Sequence, residues 1–192
     1  MKILGIDPGT VVMGFGVIES EGDAITLVDF GAINVPEHSE IGLRLSYLYQ
    51  NLLKIIRRHH PDAVAVEQPF ISKNVKSAMA IGRAQAVALL AAANSRIPAY
   101  EYPPAKVKQM VTSYGAGSKE QVQEMVRLQL GLAAAPHPAD AADALAVAIC
   151  HVQETRLENL IAGQTRLRHG STSAPRAATA GRRRENDSQP PR

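Results

Sequence analysis

The sequence predicts an α/β fold, a mixed β-sheet covered by helices, and three observations lead there. Two short apolar runs, Ile3-Leu4-Gly5-Ile6 and Ala63-Val64-Ala65-Val66, are too brief for helices and too continuous for strands with a wet face. Both stop on an acid, Asp7 and Glu67. Between them Ile41, Leu45, Leu48, Leu52, Ile55 and Ile56 recur near the helical period, with Arg44, Lys54, Arg57 and Arg58 mostly off that face. Gly14 to Glu19 and Ile25 to Ile33, separated by the polar turn Ser20-Glu21-Gly22-Asp23, extend the first run into a three-stranded antiparallel start. A strand entered from a helix is expected to run parallel to the first, so Asp7 and Glu67 emerge together, where open α/β sheets build their sites.

The remaining elements follow in order. After Asp7, Pro8 cannot stay in a central ladder and Gly9 supplies unusual backbone angles, which leaves the Thr10 hydroxyl and free amides beside the acid. Alone, this octet reads more simply as a plain Asp-Pro-Gly turn than as a metal or phosphate site, and other acids must decide between them. Pro61-Asp62 ends the first helix, and Gln68 to Asn74 reads as a loop carrying Phe70 and Lys73. A long helix from about Val75 to Asn94 is rich in Ala and poor in charge, so it is either core or a subunit interface. Ala99-Tyr100-Glu101-Tyr102 is a last short strand, and Pro103-Pro104 opens a helix to about Thr112. Ser113 to Gly117 breaks it, and Ser118-Lys119-Glu120-Gln121 has capping-box spacing for a helix to about Gly131. Pro136-His137-Pro138 introduces a final helix from Ala139 to about His151, apolar on nearly every side.

A length of 192 residues fits one ordinary domain with a tail. The expected organisation is one α/β domain over 1–156, the end of the last helix or a linker over 157–162, and a basic disordered tail over 163–192. In that tail Gly, Ser, Thr, Pro, Ala and Arg dominate and no apolar period survives. The basic tail either confers solubility or has a binding role. The net charge of +3 is weak evidence for nucleic acid. No apolar run is long enough to span a bilayer and Met1-Lys2-Ile3 leads straight into a strand, so a cytosolic protein with no membrane partner is expected. The lone Cys150 has apolar neighbours and reads as an inert core thiol.

Chemistry enters with the last helix. Asp140 and Asp143, three apart, share a helix face and repel, so a buried helix tolerates them only with a cation, a proton or basic partners nearby. Asp140 also suits the positive end of the helix dipole; Asp143, a turn further in among alanines, does not. With Asp7 and Glu67 they form a set of four acids, and oxygen-only donors select hard cations, Mg2+ or Mn2+, over zinc. Paired hard cations are suited to phosphodiester cleavage.

Gly5 to Thr10, Gly14-Phe15-Gly16-Val17-Ile18, Val66-Glu67-Gln68-Pro69-Phe70, Lys73-Asn74, Val107-Lys108-Gln109, Lys119 to Gln123 and Ala139 to Ala146 closely resemble the RuvC family of bacterial Holliday junction resolvases, over about residues 1 to 152. The resemblance implies a ribonuclease H-like fold, with a five-stranded mixed sheet flanked by helices. It implies a homodimer that binds a four-way DNA junction, nicks two strands of like polarity and leaves 5'-phosphate and 3'-hydroxyl ends. It implies RuvA and RuvB as branch-migration partners and two Mg2+ ions per active site, with Mn2+ as a substitute. Asp7, Glu67, Asp140 and Asp143 match the family's catalytic carboxylates and metal ligands. Lys108 and Lys119 match lysines that bind the phosphate, Phe70 an aromatic that stacks on a base, and Lys73 a DNA contact; the Val75 to Asn94 helix matches the dimer interface. The chain departs from many relatives at Val11 and Met13, where they carry a basic residue and a threonine. A sugar kinase or actin-like ATPase, whose first strand also ends in an acidic phosphate turn, needs two such lobes. A silent DNA-binding module would gain nothing from four acids facing phosphates.

Overall fold

The computed structural model describes residues 1–36, 39–69, 75–112 and 117–170. Its elements are β1 (Lys2–Asp7), β2 (Val12–Glu21), β3 (Ala24–Asn34), α1 (Ile41–His59), β4 (Ala63–Glu67), α2 (Val75–Asn94), β5 (Ala99–Tyr102), α3 (Pro104–Thr112), α4 (Lys119–Gln129) and α5 (Ala139–Gly170). The five strands form one mixed sheet in the order β3-β2-β1-β4-β5. β1 pairs antiparallel with β2 and β2 with β3, whereas β1 with β4 and β4 with β5 run parallel. The antiparallel start, the covering helix and the parallel return of the second acid-terminated strand are therefore as the sequence predicts.

The two-residue period of the strands sorts the core into two layers. Leu4, Ile6, Val17, Val64 and Val66 point to one face, against Leu48, Leu52 and Ile56 of α1 and Ala84, Ala88 and Ala91 of α2. Ile3, Ile18 and Ala65 point to the other, against Leu145, Val147 and Ile149 of α5 and Val107, Val111, Val122 and Val126 of α3 and α4. α5 sits so low on this second face that a Cβ at Gly5 would lie 2.0 Å from the carbonyl oxygen of Ala144, and one at Gly16 2.6 Å from the Leu145 side chain. Bare backbone at these strand positions is what admits a whole helix.

Local signals were honoured at the helix ends. Ser118 caps α4 by accepting from the Gln121 amide, and the Gln121 side chain accepts from the Ser118 amide at 2.8 Å. Cys150 is fully buried, and its thiol is pushed up to about 12, by burial first and then by the nearby Glu154 carboxylate, which keeps it an unreactive core residue. The α2 helix buries Ala84, Val87, Ala88, Ala91 and Ala92 and leaves Met79 and Leu90 exposed.

The last helix differs from expectation. It runs on to Gly170 instead of ending near His151, so residues 163–170 have helical backbone where a structureless tail was expected. The buried apolar run stops at Val152, but Gln153, Glu154, Arg156, Leu157, Glu158 and Leu160 are good helix formers and Gly163 costs a helix only about 1 kcal/mol. Burial ends there; helical propensity does not. The chain divides into two units, Met1–Leu157, which carries the sheet, and Glu158–Arg192, which is helical as far as Gly170. Residues 171–192 lie outside the described residues, as do Phe70 to Asn74 and Ser113 to Ala116.

Because Leu145 is fully buried where α5 meets the sheet, Leu145→Ala is expected to lower the free energy of unfolding by about 3 kcal/mol in urea titration, without changing the cooperativity of the transition.

Candidate active site

Strand period and register bring the first two acids together. Asp7 follows Ile3 and Gly5 at alternate positions, so it projects toward α5, and Glu67 follows Ala65 in the same way. The pairing of Ile6 with Val66 makes Asp7 and Glu67 the next residues on adjacent parallel strands. Across β1 on its other side, Asp7 pairs with Gly14. α5 supplies Asp140 and Asp143 from its first two turns, directly over this row.

The charges of the helical aspartates act on the two strand acids. Burial pushes the Asp7 carboxyl up to about 7, and the charges of Asp143 and then Asp140 push it the same way. Burial likewise raises Glu67, to about 8, with Asp7 and then Asp143 adding to it. Glu67 shares a hydrogen bond with Asp7 that favours the proton on Glu67 and the charge on Asp7. These two are thus poor anions unless positive charge arrives. Part of it is already there, since the Lys119 ammonium, at the start of α4, stands 2.6 Å from Asp143 Oδ2. Its hydrogen bond with Asp143 raises the Lys119 pKa and holds the amine protonated.

Lys108 of α3 joins Glu67, Lys119 and Asp143 around a cavity of about 150 Å3, with Val107, Val122 and Ala146 as apolar walls. Six of the eight residues singled out from sequence, Asp7, Glu67, Asp140, Asp143, Lys108 and Lys119, therefore gather at one end of the sheet. Phe70 and Lys73 lie outside the described residues. The apolar walls were given no site role beforehand, since Val107 and Val122 carry the pattern of ordinary core positions. Gly14, read only as part of a strand, proves to lie beneath Asp140.

Among the described residues, no three His, Cys, Asp or Glu side chains form a ready-made coordination shell. The fit of a metal rests on the donor chemistry. All the donors are carboxylates, two are desolvated and raised, and the group as a whole has more negative charge than Lys119 alone balances. Hard divalent cations suit such donors.

A 3-2-1-4-5 mixed sheet with acids on adjacent strand ends and on the helix crossing them defines the class as a ribonuclease H-like nuclease. The chain belongs to the RuvC family: residues 3–151 match the model of "Crossover junction endodeoxyribonuclease RuvC". It is accordingly an endodeoxyribonuclease that hydrolyses phosphodiester bonds. The crossover junction endodeoxyribonuclease RuvC of Dehalococcoides mccartyi is 56% identical over 161 residues, 84% of this chain and 96% of the relative. Thermus thermophilus RuvC is 35% identical with a TM-score of 0.77 over 82% of this chain and 97% of that one. The same protein in complex with Holliday junction substrate gives 34% identity and a TM-score of 0.78, over 82% of this chain and 96% of that one.

Because folding raises the pKa of Asp7 and Glu67, the native state holds protons that the unfolded chain releases near pH 4, and this contribution to stability is lost as pH rises toward 7 and 8. The metal-free protein is expected to melt lower at pH 8 than at pH 5. Asp7→Asn removes the most crowded charge and is expected to stabilise the metal-free protein at pH 8 by roughly 1–2 kcal/mol, measured by thermal denaturation in EDTA.

Proposed function

We propose that this chain resolves four-way (Holliday) junctions, acting as a homodimer that nicks two strands of like polarity symmetrically and leaves 5'-phosphate and 3'-hydroxyl ends. The observation that carries this reading is the convergence of Asp7, Glu67, Asp143 and Lys119 at the ends of two parallel strands, with Asp140 beside them. Bound there, two Mg2+ ions, with Mn2+ as a substitute, would lower the pKa of the attacking water and stabilise the leaving oxygen.

The chain's own residues divide the remaining work. Asp7, flanked by Glu67 on the adjacent strand and facing the two helical aspartates, would hold the ions together with those three acids. Lys119 holds Asp143 in the absence of metal and is near enough to turn to a phosphate oxygen; Lys108 opens onto the same cavity from α3. Phe70 is assigned to stacking on a base at the opened junction centre and Lys73 to the backbone beside it. The exposed Met79 and Leu90 on the small-residue helix α2 support the dimer contact, since an apolar side chain on such a face gains by burial against a second copy. Kinship with RuvC makes RuvA and RuvB the expected partners. No described helix is long and apolar enough to cross a membrane.

The test is incubation of immobile and mobile four-way junctions with Mg2+, followed by mapping of nicks. Symmetrical paired nicks are expected, and scattered single nicks would mark a general nuclease instead. Asp7→Asn should reduce nicking by at least about a thousandfold and leave junction binding in EDTA within a few-fold of the parent. Weakened binding with normal cleavage by the bound fraction would refute the assignment. Lys119→Ala should lower the nicking rate by roughly ten- to a hundredfold, with unchanged polarity of the products.

A further inference from the structure

Building on the reading of the acids just given, we infer that Gly14 is a positioning residue for the reaction: its bare backbone sets the height of the first turn of α5 and so the separation of Asp140 from Asp7. Gly14 is the direct cross-strand partner of Asp7, which puts the two side by side and facing the same way. A Cβ added at Gly14 would lie 1.9 Å from the Asp140 carbonyl oxygen, 2.4 Å from its carbonyl carbon and 3.1 Å from the Ala141 nitrogen. These are helix backbone atoms, so no side-chain rotation can relieve the contact.

The neighbouring glycines make the assignment specific. Gly5 and Gly16 admit α5 further along, at Ala144 and Leu145, and seat the body of the helix. Gly14 differs because it lies beneath an acid-bearing residue of α5 and beside the acid that ends β1. Asp140 and Asp143 ride on one rigid helix, so lifting its first turn moves both relative to Asp7 and Glu67. Making room for a methyl requires a rise on the order of 1 Å, and a misplacement of that size costs catalysis about a hundredfold.

The experiment compares Gly14→Ala with Gly31→Ala, whose added Cβ would meet only the Phe15 ring, on the opposite face of the sheet. Three quantities are read: the single-turnover nicking rate of a four-way junction in Mg2+, the junction dissociation constant in EDTA, and the gain in melting temperature on adding Mn2+ without DNA. For Gly14→Ala, nicking should fall about a hundredfold and the gain from Mn2+ should shrink, with junction binding within about twofold of the parent; Gly31→Ala should match the parent in all three. Nicking by Gly14→Ala within about threefold of the parent would overturn the inference, as would a parallel loss of nicking and of binding in EDTA. So would failure of Gly14→Ala to fold at every temperature tested while Gly31→Ala folds, because the glycine would then be a requirement of the fold. Asp7→Asn, run alongside, separates the claims. Parent-like nicking by that variant sinks the assignment of the carboxylates, whereas an inactive Asp7→Asn with a parent-like Gly14→Ala sinks only the role of Gly14.

Discussion

The structure depends on holding carboxylates together where water is scarce. Burial raises both Asp7 and Glu67, Asp7 adds to the rise of Glu67, and Asp143 and Asp140 add to the strain on Asp7. Left alone, such a group opposes folding. Folding proceeds because the acids hang from elements fixed by apolar contacts elsewhere: β1 and β4 are central strands with buried cores on both faces, and α5 is buried along most of its length between Ala141 and Val152. The energy that seats those elements comes from their apolar residues and is spent partly on crowding the acids.

The two faces of the sheet have different duties. On one, α1 packs with large side chains, Leu48, Leu52 and Ile56 sharing a core with Leu4, Ile6 and Val66, beside the alanines of α2. On the other, small residues bring α5 down onto the strands, and the alanines of the helix meet strand glycines with almost no side chain between. Close approach is what the acid cluster needs, because an aspartate reaches only a short way from its backbone. A helix standing at ordinary distance from a sheet would hold Asp140 and Asp143 further from Asp7. α3 and α4 complete the arrangement from the side, presenting Lys108 and Lys119 to the same cavity.

Much of this was legible in the sequence. The alternation of apolar strand positions, the helical period of Ile41 to Ile56, the capping box at Ser118 and the acid at the end of each central strand are local signals with local causes, and each gave the correct element. The end of α5 was not legible, because the apolar pattern stops near His151 and the helix continues to Gly170 on residues that favour helix without being buried. The pairing of Lys119 with Asp143 could not be read either, since 24 residues separate them and only the packing of α4 beside α5 brings them within 2.6 Å.

By itself, then, the chain's order of residues determined the strands and helices, the identity of the acids and the hard-cation character of any site they could make, because periodicity, capping and donor chemistry act over a few residues. Distances were decided only in three dimensions. Register placed Asp7 between Glu67 and Gly14, and the depth of α5, set by backbone meeting backbone, brought the helical aspartates over them. Such depth depends on atoms that a glycine lacks, at positions far apart along the chain, and it becomes fixed only when the helix and the sheet pack against each other.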